Sequence, residues 1–406
     1  METILNTSAT IYNRTVPNRI LFQPMEGCDG TLEGGIGELT RRRYLRFAES
    51  GAGIIWFEAT AVSGEGRANP HQLYLNDKTV ESFKALVAET KSIALRENGF
   101  APLIIVQLTH SGRFSKPDGI PEPIVAYRNE LWENERENQD YVVATDAYLK
   151  TVSEKYHKAA ELALYAGFDG IDIKCCHGYL FDEFLSAYNR NGVYGGSLNN
   201  RTRLYFECVD AIKRAVEDKL FITTRLNACD CFPYPYGFGV DKNNSIDLSE
   251  TKIIIKQLVE KGMELINITL GNPYIIPHIN RPCINSPEDG DVGLERIYKI
   301  TKELKDCFPD VKIVSSGLTY PAENAAKYAE KLIKDGVCDF AGFGRMTFAY
   351  PEFYKDYLKN GELDKSKVCL KCSKCTELMR SGTVAGCPVR DSEVYMPYYQ
   401  KNVLKK

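Results

Sequence analysis

The chain has 406 residues, of which 44% are hydrophobic and 26% are charged, and its formal net charge is −3 at pH 7. A chain of this length can bury one large core or two modest ones. The near-neutral balance excludes the basic surface that binds nucleic acid or anionic membranes. The first twenty residues lack the pattern of a signal peptide, and no apolar run approaches the ~18 residues of a membrane span. We therefore expect a cytoplasmic protein without nucleic-acid or membrane partners.

Short β-type runs alternate with longer helical patterns along the chain, without an internal repeat. One helix is predicted from Val80 to Arg96, with Asp77 as the expected N-cap and Val80, Phe83 and Leu86 on one face. Further helices are predicted at residues 152–166, 201–216, 248–261 and 322–334. Strands are predicted at residues 20–23, 54–58, 103–108, 170–173, 221–225, 265–269, 312–315 and 340–342.

Eight strand–helix units favour a closed (β/α)8 TIM barrel over a doubly wound sheet, because no G-x-G-x-x-G fingerprint follows the first strand. A barrel collects its functional side chains at the carboxyl ends of the strands. The glycines and the arginine after the last two strands also favour a phosphate-bearing cofactor, because backbone N–H groups can approach an anion closely. The strand-end residues are Pro24, Met25 and Glu26; Glu58, Ala59 and Thr60; Gln107 to His110; Lys174, His177 and Tyr179; Arg225; Ser315 to Gly317; and Gly342 to Arg345.

The segment after the fourth strand places three titratable side chains, Lys174, His177 and Tyr179, within six residues. It begins as a β-branched run and continues as a helix with Leu180 and Phe184 in its apolar pattern. Three such groups just past a buried strand indicate a site where a proton is moved. A polar loop between a strand and a helix remains the alternative from these residues alone.

Ordered segments of the chain resemble the old yellow enzyme family of FMN-containing barrels. The resemblance runs in family order through about 345 residues. It implies a TIM barrel with FMN as its cofactor. The segments are PNRILFQPM (17–25), GAGIIWFEATAVSGEGR (51–67), IIVQLTHSGR (104–113), AGFDGIDIKCCHGYLFDEFLS (166–186), YGGSLNNRTR (194–203), the arginine of FITTR (221–225), SSGLT (315–319) and GFGR (342–345).

The resemblance also assigns residues to the cofactor. Arg225 would lie beside the N1/C2 region of the flavin, where a permanent positive charge stabilises the reduced, anionic form. Glu26 stands where relatives often carry threonine or cysteine, and an ionised carboxylate there would make the flavin harder to reduce. By position, the flavin contacts are Pro24, Met25, Glu26, Ala59, Gln107 and Arg225, and the phosphate contacts are Ser316, Gly317, Gly344 and Arg345.

Substrate contacts follow from the same resemblance. Most relatives carry a His–His or His–Asn pair at the positions of Lys174 and His177, and that pair hydrogen-bonds the carbonyl oxygen of the substrate. Two alternatives stay open for Lys174: it favours a carboxylate or strongly polarised carbonyl, or it turns away into a salt bridge. Tyr179 matches the family position that protonates the α carbon, and a phenol with a pKa near 10 suits a proton donor at neutral pH.

Four of the thirteen cysteines form the pattern Cys369-x2-Cys372-x2-Cys375-x11-Cys387. Such spacing is typical of metal ligands, with structural zinc and a [4Fe–4S] cluster as the physical alternatives. The 3 + 1 arrangement resembles the iron–sulfur branch of the same family, which includes 2,4-dienoyl-CoA reductase and trimethylamine dehydrogenase, and implies a [4Fe–4S] cluster. We expect a barrel over residues 1–360 and a cluster-binding extension over residues 361–406, without the nucleotide-binding domains that follow in those relatives.

The expected activity is an FMN-dependent ene-reductase, in which hydride reaches the β carbon of an activated C=C and Tyr179 protonates the α carbon. The substrate is a small unsaturated acid, ketone or thioester, and NAD(P)H or a separate electron-transfer protein supplies the electrons. One alternative is an amine dehydrogenase or demethylase that passes electrons to the cluster. Another is a zinc-stapled barrel that binds a phosphorylated ligand without redox chemistry. A monomer and a homo-oligomer both remain open.

Overall fold

The computed structural model describes residues 2–133 and 141–405. Its centre is a closed barrel of eight parallel strands, in which each strand pairs with the next and the eighth pairs with the first. The predicted (β/α)8 TIM barrel is therefore confirmed, and all eight predicted strands are present. They are β1 (Ile20–Phe22), β2 (Ile54–Ala61), β3 (Leu103–Thr109), β4 (Gly170–Ile173), β5 (Phe221–Asn227), β6 (Leu265–Thr269), β7 (Lys312–Ser315) and β8 (Phe340–Phe343).

A helix follows each strand and packs on the outside of the barrel. These helices are α1 (Glu38–Glu49), α2 (Val80–Asn98), α3 (Asp146–Ala166), α4 (Arg203–Val216), α5 (Ser249–Glu260), α6 (Gly290–Cys307), α7 (Ala325–Lys334) and α8 (Phe353–Asn360). Two further helices, α9 (Lys374–Arg380) and α10 (Ser392–Asn402), lie in the C-terminal extension. Short helices in the loops are Glu130–Glu133, Leu180–Leu185, Leu198–Arg201, Pro277–Asn280 and Arg345–Ala349. In the described part of the chain, none of the helices is both long enough and apolar enough to cross a membrane.

The N-cap of α2 and the start of α3 differ from the prediction. The N-cap of α2 is Thr79 rather than Asp77, and its side chain makes no capping hydrogen bond. Helix α3 begins at Asp146, six residues before the predicted start, because the Thr145 side chain accepts a hydrogen bond from Tyr148 N and caps an additional turn. Apolar periodicity alone marks the buried face of a helix and misses a first turn that is defined by its cap.

A small hairpin closes the amino-terminal end of the barrel. Its strands, Ala9–Ile11 and Arg14–Val16, pair antiparallel. Ile11 and Val16 pack against inward-facing side chains of the barrel strands, including Trp56, and these form one apolar cluster. This end is therefore a packed core, which leaves the opposite, carboxyl-terminal end for a site.

A polar layer lies above that apolar cluster in the barrel interior. The buried carboxylate of Asp172 accepts hydrogen bonds from Trp56 Nε1 at 2.7 Å, Gln107 Nε2 at 2.6 Å and the backbone N of Arg225 at 2.7 Å. Burial raises the pKa of Asp172 to about 6, and these three donors oppose that rise. Strands β2, β3 and β5 are thus tied at one level, directly below the residues predicted to contact the flavin.

A bulge in β2 separates Glu58 from its neighbour Ala59. The pairing of β2 with β3 shifts register between Phe57 and Ala59, and bulges of this kind redirect side chains. Glu58 leaves the barrel axis, pairs with Arg43 of α1 at 2.6 Å and accepts a hydrogen bond from Gly27 N at 2.7 Å. It therefore holds the loop after β1 in place instead of facing the strand-end site.

The C-terminal extension packs on α1 and on the loop after β1. Asp391 pairs with Arg42 at 2.7 Å and with Arg46 at 2.8 Å. The backbone N of Ala385 donates to Gly27 O at 2.6 Å. Inside the extension, the buried side chains of α9 and α10 form an apolar cluster of their own, made of Leu378, Tyr395 and Tyr399. These contacts bring residues 375–385 to the mouth of the barrel.

Candidate active site

A cavity of about 190 Å³ lies at the carboxyl ends of the barrel strands. Its wall combines the loops after the strands with residues of the C-terminal extension. Every residue that the sequence assigned to catalysis or to FMN lines it: Pro24, Met25, Glu26, Ala59, Gln107, Lys174, His177, Tyr179, Arg225, Ser316, Gly317, Gly344 and Arg345. Two other strand-end residues, Glu58 and His110, are buried outside this wall. The fold thus brings the predicted catalytic and FMN-binding residues together in one wall. The role of each of these residues remains a prediction.

Two buried arginines fit the anionic parts of FMN. Arg225 Nη1 donates to Gln23 Oε1 at 2.8 Å, and Arg345 Nη2 donates to Pro282 O at 2.8 Å. The two arginines are only 7% and 8% exposed. Even so, Arg225 Nε and Arg345 Nη1 are buried without a hydrogen-bond partner among the described residues. A buried donor without a partner costs ~1–3 kcal/mol. An anionic ligand in the cavity would remove that cost at both arginines.

One residue of the cavity wall, Gly342, has no room for a side chain. A Cβ at Gly342 would lie 2.1 Å from Gln23 Nε2 and 2.6 Å from the backbone oxygen of Ser315. Neither contact is tolerable, so a side chain at this position would displace Gln23 and the strand beside it. The unpartnered guanidinium groups fit an anionic cofactor such as FMN.

His177 is held as a neutral imidazole with a defined proton. Burial lowers its pKa well below the usual value, and the positive charges of Arg225, Lys174 and Arg281 lower it further. Its Nε2 lies 3.1 Å from Asn280 Nδ2, an amide nitrogen that also donates to Thr269 Oγ1 at 2.8 Å. Because Nε2 accepts from this amide, the single ring proton sits on Nδ1. The ring can then donate one hydrogen bond to a ligand.

Lys174 and Tyr179 form one contact in the wall. Lys174 is only 5% exposed, and its Nζ lies 3.4 Å from the centroid of the Tyr179 ring. A cation over an aromatic face is stabilised by ~0.5–2 kcal/mol. No carboxylate of a described residue lies within 4.0 Å of Lys174 Nζ, so the salt bridge considered above has no partner in this part of the chain. Burial lowers the pKa of Lys174, and the charge of nearby Glu26 opposes that fall. The Nζ atom is therefore available to the cavity.

The hydroxyl group of Tyr179 continues into a second phenol. Tyr179 Oη lies 3.2 Å from Tyr274 Oη, and the Tyr274 ring stacks on Phe114 with centroids 3.7 Å apart. Burial raises the pKa of both tyrosines above their ordinary value. Both phenols are therefore protonated at neutral pH, and Tyr179 can donate a proton into the cavity.

Glu26 contributes the one carboxylate among the described residues of this wall. Burial raises its pKa, whereas the charge of Lys174 and a hydrogen bond from Asn69 Nδ2 at 2.9 Å favour the ionised form. The lysine and the glutamate stabilise each other's charge across the cavity. The two positions that depart from the family pattern are thus electrostatically linked.

Several wall residues carried no usable signal in the sequence. The loop after β6 contributes Pro273, Tyr274, Asn280 and Arg281, and the extension contributes Cys375, Thr376, Met379, Arg380 and Ala385. The position of the loop at a strand end could have identified it. The extension could not be placed, because it reaches the cavity through contacts distant in sequence, such as Arg281 Nη1 donating to Thr376 Oγ1 at 2.6 Å.

The four cysteines of the extension lie beside this wall, and Cys375 is part of it. The backbone N of Lys371 donates to Cys369 Sγ at 3.4 Å, and the backbone N of Arg390 donates to Cys387 Sγ at 3.3 Å. Burial raises the pKa of Cys369 to about 11. Among the described residues, no three histidine, cysteine, aspartate or glutamate side chains are gathered closely enough to hold one metal ion. Thiols at this spacing suit an iron–sulfur cluster chemically, and the cluster remains a prediction.

Comparison with known proteins identifies the family. Residues 7–273 match the model of the NADH:flavin oxidoreductase / NADH oxidase family, which is well over half of the chain. This chain belongs to the old yellow enzyme family. It is therefore an FMN-dependent oxidoreductase, and FMN and NAD(P)H are the cofactors that the family supports.

Relatives of different lengths match this oxidoreductase. The NADPH dehydrogenase of Bacillus licheniformis is 30% identical over 85% of this chain and 91% of the relative. The NADH oxidase of Thermoanaerobacter brockii is 28% identical over 91% of this chain, which spans only 52% of that relative.

Solved structures share the same barrel. A 2-naphthoyl-CoA reductase complex superposes with a TM-score of 0.76 and 18% identity, covering 95% of this chain and 56% of the other. Morphinone reductase with tetrahydroNAD superposes with a TM-score of 0.65 and 20% identity, covering 89% of this chain and 92% of the other. At these identities the likeness establishes the fold alone.

We expect Arg345→Met to weaken FMN binding by ~10- to 100-fold, because it removes a charged donor worth ~1.5–3 kcal/mol. Titration of the apoprotein with FMN, followed by flavin fluorescence, measures the change. Arg96→Met on the exposed face of α2 is the control, since this side chain pairs with Glu97 at the surface, away from the cavity. Equal affinities for the wild type and the Arg345 variant would contradict the phosphate assignment.

Proposed function

We propose that this oxidoreductase is an ene-reductase that reduces an activated C=C in an enoate, enone or enoyl thioester. The observation that carries the proposal is the set of donors on one wall of the cavity. A neutral imidazole, an amine and a protonated phenol, from His177, Lys174 and Tyr179, face the space beside the arginines that fit FMN. Such a set can hold an oxygen of the substrate and supply a proton at the same time.

Each side chain has a distinct task in this proposal. Reduced FMN, when bound, supplies a hydride to the β carbon of the substrate. The Nδ1 proton of His177 binds the carbonyl or carboxylate oxygen, and Asn280 fixes the ring in the tautomer that this requires. The negative charge that develops on that oxygen is stabilised by donors already in place. Tyr179 gives its hydroxyl proton to the α carbon, and Tyr274 lies within hydrogen-bonding distance to return one.

Anaerobic reoxidation of the reduced enzyme by a panel of compounds tests the activity. The panel contains one compound of each class: cinnamate as the enoate, 4-phenyl-3-buten-2-one as the enone and crotonyl-CoA as the enoyl thioester. We expect at least one of them to reoxidise the flavin, and the rates of reoxidation to differ between the classes. Trimethylamine tests the alternative activity. In an amine dehydrogenase the amine would reduce, and so bleach, the oxidised flavin, whereas the enoate would not reoxidise the reduced flavin. A colourless preparation that contains only zinc would refute both redox activities.

Tyr179→Phe should leave flavin reduction by NADPH unchanged and slow reoxidation by the unsaturated substrate by ~10²- to 10⁴-fold, the usual contribution of a positioned proton donor. Stopped-flow absorbance of the two half-reactions separates these effects. Tyr165→Phe is the matched control, because that tyrosine is exposed on α3 and its hydroxyl group donates to Glu81 at the surface, away from the cavity. An equal loss in both half-reactions would give Tyr179 a different role.

We further propose that Lys174 selects a substrate with a negative or strongly polarised oxygen. Its ammonium is buried, faces the cavity and has no carboxylate of the described chain within 4.0 Å. Hydride addition to an enoate builds a second negative charge on a group that is already anionic, which makes a carboxylate a poor activator in water. A fixed cation beside that group offsets the charge where solvent screening is weak.

Lys174→Met should lower kcat/KM for cinnamate by ~10- to 100-fold more than for 4-phenyl-3-buten-2-one, since a charged hydrogen bond is worth ~1.5–3 kcal/mol. The two compounds share the C6H5–CH=CH group and differ at the activating group, which is a carboxylate in one and an acetyl group in the other, so steady-state kinetics compare an anionic with a neutral activator. Lys150→Met, at an exposed position of α3, is the control. Equal losses for both substrates would show that Lys174 does not select by charge.

We also propose that Cys369, Cys372, Cys375 and Cys387 bind a [4Fe–4S] cluster, and that residues 361–406 form an extension distinct from the barrel of residues 1–360. The spacing supports this, and so do the backbone N–H groups that donate to two of the sulfurs. The thiols also interact with one another, because Cys375 and Cys387 add to the raised pKa of Cys369 after burial. NAD(P)H or a separate electron-transfer protein would be the reductant.

Cys372→Ser should remove iron from the protein, because the serine oxygen is a poor ligand for the cluster. Iron and acid-labile sulfide analysis of anaerobically purified protein measures the loss. Cys307→Ser, which removes an exposed thiol at the end of α6, should retain the full iron content. Zinc in place of iron in the wild type, or undiminished iron in the Cys372 variant, would refute the cluster.

A further inference from the structure

A second group of thiols lies on the loop after β5, apart from the four cysteines of the extension. Cys229 and Cys231 have their sulfur atoms 3.5 Å apart, and neither is in a disulfide. The backbone N of Cys231 donates to Cys229 Sγ at 3.2 Å. Cys231 has a φ of 57°, in the left-handed region that side-chain-bearing residues rarely adopt. This turn folds the three-residue segment so that both sulfurs lie on one side.

The residue between the two cysteines fixes the turn. Asp230 accepts hydrogen bonds from Asn227 Nδ2 at 2.6 Å and from the backbone N of Phe238 at 2.7 Å. Its carboxylate is therefore anchored within the loop. The paired sulfurs are a consequence of this anchored backbone, so they stay close together without a covalent bond.

The pair differs from the other buried thiols of the protein. Cys229 is fully buried, whereas Cys231 is half-buried and is the more exposed member of the pair. A disulfide needs a sulfur–sulfur distance of about 2.05 Å, and these two sulfur atoms already lie 3.5 Å apart.

We propose that Cys229 and Cys231 are a redox-active dithiol site that reacts with low-molecular-weight disulfides. The Cys231 thiolate attacks one sulfur of the small disulfide and releases the first small thiol, which leaves a mixed disulfide on the protein. The Cys229 sulfur then displaces the second small thiol and loses its proton. The protein gains one Cys229–Cys231 bond and gives up two electrons and two protons, and the small disulfide becomes two thiols.

The position of the site connects it to the proposed proton donor. Phe232, next to Cys231, packs in one apolar cluster with Tyr179 and Phe114. Closing the disulfide moves the Cys231–Phe232 segment and changes the packing around the Tyr179 ring. Oxidation should therefore slow the reaction with the unsaturated substrate. This consequence rests on the proposed function, whereas the formation of the disulfide does not.

Glutathione disulfide is the probe, applied anaerobically to the reduced, cofactor-loaded enzyme. We expect peptide mass mapping to show a loss of two hydrogens from the peptide that holds Cys229 and Cys231, reversed by dithiothreitol. NADPH oxidation with 4-phenyl-3-buten-2-one should slow on oxidation and recover on reduction. An unmodified pair, or a glutathione adduct that persists on Cys231, would overturn the proposal without any variant having to fold.

Variants make the assignment specific. Cys231→Ser should abolish the loss of two hydrogens and the slowing, whereas Cys307→Ser should keep both, since its thiol is exposed and far along the chain. A disulfide that forms without any change in rate would overturn the coupling to Tyr179. If the disulfide fails to form while Tyr179→Phe behaves as expected, the dithiol site is refuted and the ene-reductase proposal stands.

Discussion

The active-site face depends on one buried carboxylate inside the barrel. Asp172 receives hydrogen bonds from Trp56, Gln107 and the backbone of Arg225, and these groups belong to three different strands. A buried carboxylate is costly unless such donors satisfy it, and fully satisfied it fixes the register of the elements that donate. The side chains of Gln107 and Arg225 then emerge at a defined level on the cavity wall. The position of these two side chains is what allows the wall to contact an anionic cofactor.

A second constraint is the attachment of the C-terminal extension. Asp391 is held by Arg42 and Arg46, and Ala385 bonds the loop that carries Met25 and Glu26. Because the same extension supplies wall residues, the cavity is completed only when the extension is docked. Burial keeps His177 neutral in the finished cavity, and the positive charges of nearby side chains reinforce this effect. Lys174 interacts with Glu26 across the same space. Substrate choice, in this view, depends on groups brought together from both parts of the chain.

Prediction from the sequence succeeded where the signal is local. Each barrel strand lies within a few residues of its predicted position, because a run of buried β-type residues between polar turns is visible in a short window. Every predicted catalytic or flavin-contacting residue lines one cavity, since parallel strands place their carboxyl ends at the same edge.

The incorrect predictions also have physical causes. Glu58 was expected at the strand-end site, but a one-residue bulge turned it outward to Arg43. The cap of α2 was misplaced, because a favourable residue type does not guarantee a capping hydrogen bond.

The sequence by itself determined the eight-strand order, the family and the identity of the strand-end residues, because these follow from periodicity and from ordered motifs. Tertiary structure alone decided which side chains complete the wall. The loop after β6, the extension and the Cys229–Cys231 turn reach their places through hydrogen bonds and ion pairs between distant segments. The protonation and pairing of the site residues also depend on the tertiary structure. The tautomer of His177 depends on Asn280, and Lys174 faces the cavity because the carboxylates of the described residues lie more than 4.0 Å from its Nζ. Such properties are set by neighbours in space, which a linear pattern does not encode.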